Sequence, residues 1–175
     1  MAPRTPVDPG LPGSCARAAT AAEARYRIQR PIAPARAPRI IALDDGAGEV
    51  VRGVAELEWA TARFYTWRAA GALHGVSGGT ATLDDELASA DVVVMVATDD
   101  AGADAARTIG EACFLRGIMT AGLVIGTGIN TGIATRGGAG ETAGRAVAAL
   151  RPYARVLLPG ADVDDLVELL RALRA

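Results

Sequence analysis

From residue 39 to residue 175, short apolar runs alternate with longer stretches in which apolar positions recur every three or four residues. A bounded run of four to eight apolar residues reads as a buried strand, and the longer spacing as an amphipathic helix. The first strand is expected over 39–43 (RIIAL), stopped by Asp44, Asp45 and Gly46, with a helix over 49–57. The second is expected over 63–67 (RFYTW), a β-branched and aromatic run. A Gly-rich connection, 71–80, leads to a short helix over 84–89, where Thr82 followed by Asp85 resembles a capping box. The third strand, 91–97 (DVVVMVA), is apolar after its first residue, which suits a central parallel strand covered on both faces. A helix over 99–116 carries Ala105, Ile109 and Ala112 on one stripe. A fourth strand over 118–125, a helix over 142–150 stopped by Pro152, and a fifth strand over 155–158 follow. The last helix, 163–173, has its stripe at Val163, Leu166, Val167, Leu170 and Leu173, with Asp162 as N-cap and Arg171 and Arg174 near its end.

Strands separated by helices require right-handed crossovers, which predicts a three-layer, Rossmann-like α/β fold. The expected sheet has five mostly parallel strands in the order 2-1-3-4-5. Ligands in such sheets bind beyond the carboxyl ends of the strands, where the order reverses. Here that point lies between the first and third strands, at loops 44–48 (DDGAG) and 98–104 (TDDAGAD). The candidate cofactor-binding residues are Asp44, Gly46 and Gly48 in the first loop and Thr98 and Gly102 in the second. Arg136 joins them from the loop 126–140, which is rich in glycine and follows the fourth strand on the same edge. Backbone amides and one guanidinium in such a loop suit an anion, and a plain connection or a partner contact suits it equally.

The two loops point in different chemical directions. Glycines after a strand let the backbone approach a phosphate at a helix N-terminus. A dinucleotide fingerprint would have a third glycine where Val51 stands, and the second strand ends in Thr66 and Trp67 without the acid expected on an NAD ribose. Asp44, Asp45, Glu49, Asp99, Asp100 and Asp104 give the crevice six carboxylates. Either they cap helices, or a divalent metal such as Mg²⁺ relieves their repulsion. Paired acids after a first strand also occur in phospho-acceptor receiver domains. Those need an Asp ending the third strand and a later Lys; Ala97 ends that strand and the chain has no Lys.

Composition narrows the chemistry. The chain has 175 residues, half of them apolar, 22% charged and 4% aromatic. All 18 basic residues are Arg, which excludes a Walker-A phosphate loop and Schiff-base catalysis. One His (His74) and two Cys (Cys15 and Cys113) build neither a zinc finger nor a four-thiolate cluster. His74 lacks a visible acid or nucleophile partner, and Cys113, in an Ala-rich helix, reads as core. The aromatic residues Trp59, Phe64 and Trp67 read as packing a helix to the sheet edge. The net charge of −2 argues against wholesale nucleic-acid binding. It hides an uneven distribution: 1–38 carries six Arg against two acids and seven of the nine prolines, while 39–175 is about −6. Residues 1–38 are expected to be a disordered arm and 39–175 the folded domain. No apolar run suits a secretory signal or a membrane span, so a cytoplasmic location is expected, without membrane association.

The segment 90–125 (ADVVVMVATDDAGADAARTIGEACFLRGIMTAGLVI) resembles the bacterial tubulin-like division GTPase family FtsZ. Both run through a buried strand, a phosphate loop, an Ala-rich helix, a small loop and a further strand. Residues 39–51 resemble that family's first strand and Gly-rich turn, and 143–159 its later helix and strand. The resemblance implies a guanine-nucleotide site, with Mg²⁺ only alongside the nucleotide. The family's glycine-threonine phosphate loop is not kept: 97–103 has one glycine, Gly102, and two added acids, and a Gly-Thr-Gly stands instead at 126–128. The family's catalytic acids follow its central helix, beyond the equivalent of residue 175, so polymerisation-coupled hydrolysis is not expected.

These readings together suggest a non-catalytic binding or scaffold module, with no catalytic residue assigned and at most a vestigial nucleotide site. Its partner would be another protein or a second copy. The alternative is a small Mg-dependent nucleotide-binding enzyme, or an NAD(P)-binding protein, using the crevice between the two loops.

Overall fold

The computed structural model describes residues 36–126 and 143–175. The expected arm and the loop carrying Arg136 lie almost wholly outside these residues. Seven strands form one mixed, mostly parallel sheet in the order β4-β3-β2-β1-β5-β6-β7. The strands are β1 (Pro38–Ala42), β2 (Arg63–Trp67), β3 (Ala72–Gly75), β4 (Thr80–Thr82), β5 (Val92–Ala97), β6 (Met119–Ile125) and β7 (Val156–Ala161). The helices are α1 (Asp45–Ala55), α2 (Leu83–Leu87), α3 (Ala103–Arg116), α4 (Gly144–Leu150) and α5 (Val163–Leu173).

The expectation of five strands is corrected by β3 and β4. The parallel strands alone, β2-β1-β5-β6-β7, keep the expected 2-1-3-4-5 order. The additional pair is an antiparallel hairpin on the β2 edge, hidden in what reads as a glycine-rich connection. Its strands have four and three residues, too short to display an alternating pattern. Its turn closes through Gly75 N–H to Gly79 O (3.0 Å) and Gly78 N–H to Gly75 O (2.9 Å).

Two apolar clusters sandwich the sheet. Ile41, Val93 and Met95 point to the face covered by α2, α3 and α4. Ile40, Val94 and Val96 point to the face covered by α1 and α5. All six residues of β5 are buried, as its unbroken apolar run requires. Trp59 and Phe64 pack against the second cluster with ring centroids 6.2 Å apart, and the Trp59 indole N–H donates to the Val54 carbonyl (2.8 Å). Trp67 packs against the first cluster.

Every expected helix but the last shifts its limits, the helices over 84–89 and 142–150 becoming Leu83–Leu87 and Gly144–Leu150, and two of the shifts fall at the two loops. The helix expected over 49–57 begins four residues earlier because Asp44 caps it directly, so two glycines of the first loop lie inside its first turns. The helix expected from 99 opens with a short 3-10 turn, Asp100–Gly102, before α3 proper. The last helix keeps its expected limits, with a reciprocal capping box between Asp162 and Asp165 (2.9 and 3.0 Å). No helix among the described residues is long and apolar enough to cross a membrane.

Candidate functional site

The parallel ladder of β1 against β5 brings the two expected loops side by side, and one side chain joins them. The Asp44 carboxylate accepts from Ala47 N–H (2.8 Å), capping α1, and from the Thr98 hydroxyl (2.6 Å) through the same oxygen. Its other oxygen accepts from the N–H groups of Thr98 (2.8 Å) and Asp99 (3.3 Å). Asp44 is thus a bridge as well as a cap. Thr98 is buried at the end of β5, where its side chain and backbone both point to Asp44.

The glycines of the loops serve this close approach. A Cβ on Gly46 would collide with the Thr98 hydroxyl oxygen. One on Gly102 would lie 2.5 Å from Leu43 Cβ and 3.1 Å from the Leu43 backbone. Gly48 has more room, its Cβ position lying 3.4 Å from Thr66 Cγ2. The structure therefore brings Asp44, Gly46, Thr98 and Gly102 together and leaves Gly48 at the side. Arg136 lies outside the described residues.

The other five acids are dispersed. Asp99 accepts from Ala101 N–H (2.7 Å), and Asp100 reaches across to Ala146 N–H (2.9 Å) near the start of α4. Asp45 pairs with Arg68 (3.7 Å), Glu49 with Arg52 (2.5 Å) and Asp104 with Arg107 (2.7 Å). No group of three potential metal ligands converges among the described residues. The expected crowding of carboxylates is relieved by helix caps and separate arginines.

Two features have no counterpart in the sequence reading. A groove of ≈ 820 Å³ opens between the β3–β4 hairpin and α3, lined by Trp67, Gly71, Leu83, Asp85, Thr108 and Ala112, with no residue from the two loops. Beside it Ala70 adopts φ 60°, unusual for a residue with a side chain. At the opposite end of the sheet, Arg39 and Glu86 form a buried ion pair (2.7 Å). The Arg39 guanidinium also donates to Ser89 (2.6 Å) and to the Ala37 carbonyl (3.1 Å), and Arg63 approaches Glu86 from outside (3.3 Å). Burial pushes the Glu86 carboxyl up, but hydrogen bonds from Tyr65 and Arg39 and the two guanidinium charges outweigh it and hold the group below its ordinary range. The two arginines lie 23 and 47 residues from Glu86, which is why no local motif announces them.

His74 is exposed on β3, opposite Thr66 and Thr80 in the ladder. Cys113 is buried in α3, where burial pushes its thiol up to about 12, so it stays protonated at neutral pH. Comparisons with known proteins found no matching family model, no matching curated protein and no matching solved structure.

Proposed function

We propose that this chain is a non-catalytic, Rossmann-like binding module, akin to an FtsZ-type nucleotide-binding domain but with at most a vestigial nucleotide site. The observation that carries this reading is the seam between the two loops. A phosphate site at a strand-to-helix turn needs unoccupied amides and space above its glycines. Here a carboxylate takes one of the first amides of α1 together with two amides of the facing loop. Gly46 and Gly102 are packed closely against Thr98 and Leu43, which occupy the positions a Cβ on either glycine would take. An anion entering this seam would meet the Asp44 charge and would have to displace four internal hydrogen bonds. The kinship with FtsZ rests on the run 90–125 and belongs to the proposal.

Thermal unfolding of the full chain with GTP, GDP, ATP, NAD and NADP, each with and without Mg²⁺, tests this. A ligand at 100 times its dissociation constant adds about 2.7 kcal/mol, which for a domain of this size raises the midpoint by roughly 5–10 °C. The proposal expects no shift with any of them. A Mg²⁺-dependent shift with a guanine or adenine nucleotide would replace it by a nucleotide-dependent enzyme, and a shift with NAD or NADP by a dinucleotide-binding protein.

A further inference from the structure

The two edges of the sheet differ. β4 ends one side with three residues, Thr-Ala-Thr. β7 ends the other with six, Val-Leu-Leu-Pro-Gly-Ala, of which only Ala161 is buried. Open edges are ordinarily blunted by charge, by proline or by bulges; β7 carries Pro159 and a register shift against β6 at Val124/Ile125, but none of its six residues is charged. Side chains alternate along a strand. Leu157 packs against the cluster under α3 and α4, which puts Val156 and Leu158 on the α5 side, 44% and 37% exposed. Val163, at the start of α5, is 43% exposed.

Charge surrounds this apolar strip in a polar order. Arg151 and Arg155 precede it, both exposed and without an ion-pair partner among the described residues. Asp162, Asp164 and Asp165 follow it, all exposed. A copy of the strip laid parallel would set arginine against arginine and aspartate against aspartate. A copy laid antiparallel sets each basic end against an acidic one, and a two-fold axis does this at both ends at once.

We infer that β7 is a self-association surface whose partner is a second copy of this chain, with the two strands antiparallel about a two-fold axis at Leu158. In that register Leu158 of each copy lies across from Leu158 of the other, on one face, at cross-strand pairing distance. Arg155 then lies across from Ala161 of its partner, beside the acidic end that begins at Asp162. Pro159 has no N–H to give, so side chains rather than a long backbone ladder hold the contact. This names the partner of the module proposed above and rests on that reading for its meaning.

Sedimentation velocity of the full chain over a concentration series tests it. A monomer–dimer equilibrium weakened by salt is expected. Arg155→Glu should weaken the dimer about tenfold or more, because each contact then sets like charges together. Asp164→Arg should do the same, and an equimolar mixture of the two variants should restore a dimer containing one of each. Leu158→Lys should be monomeric, and circular dichroism of every variant checks that its fold is kept. A chain that stays monomeric throughout, a dimer indifferent to Arg155→Glu and Leu158→Lys, or failure of the mixed variants to recombine would overturn the inference. A nucleotide-dependent thermal shift would sink the module reading and leave these results standing, so the two failures are distinguishable.

Discussion

Asp44 shows how one residue can look like a ligand and act as a fastener. Its place after the first strand is legible in the sequence; its bond to Thr98 is not, because the two are 54 residues apart and meet only when β1 pairs with β5. Replacing it by Ala removes the α1 cap and the bridge together, which should cost about 2 kcal/mol or more and is read by urea unfolding. Gly102 is the second residue fixed by that seam. Gly102→Ala should destabilise by about 1–3 kcal/mol, since the new methyl meets Leu43 and its backbone. Gly53, exposed inside α1 with nothing within 4 Å of its Cβ position, is the control. Gly53→Ala should stabilise by roughly 0.5–1 kcal/mol through helix propensity alone. Equal effects at the two sites would show that Gly102 is not held by the close approach.

Among the elements, the long periodic ones were legible and the short ones were not. The unbroken apolar run of β5 and the stripe of α5, of which Leu166, Val167 and Leu170 are buried while Val163 is exposed, each override local ambiguity. The hairpin did not announce itself because Ala, Gly and Thr carry little pattern over so few residues. What holds α2 in place was equally hidden: a helix of five residues is not stable alone, and the Arg39–Glu86 pair ties it to β1. Glu86→Gln should destabilise by about 3 kcal/mol near neutral pH by leaving a buried guanidinium without its counter-charge. The sign of the pH dependence follows from the lowered Glu86 pKa. Its stabilisation is complete above the ordinary carboxylate range and is lost as pH falls through the lower folded value. The gap between wild type and Glu86→Gln, measured by urea unfolding, should therefore close below about pH 4. A gap that stayed constant into that range would mean that the pair contributes shape rather than charge.

At the scale of the whole molecule, strand order places the two loops side by side at the order reversal, and Asp44 joins them there. Alternation of strands and helices was sufficient to place the parallel strands and the crevice at the order reversal, because crossover handedness leaves few topologies. It could not show that Asp44 joins the two loops, since that depends on hydrogen bonds between residues 54 and 55 positions apart. At this scale too, the sheet has one short polar edge and one longer apolar edge flanked by opposite charges. The most direct measurement of the central claim is thermal unfolding of wild type and Asp44→Ala side by side, with and without Mg²⁺ and GTP. A structural Asp44 predicts a wild-type midpoint unmoved by Mg²⁺-GTP, and an Asp44→Ala midpoint lower by about 5 °C or more in either condition. A wild-type midpoint raised by Mg²⁺-GTP, with that rise abolished in Asp44→Ala, would make Asp44 a ligand of a working nucleotide site and contradict the account.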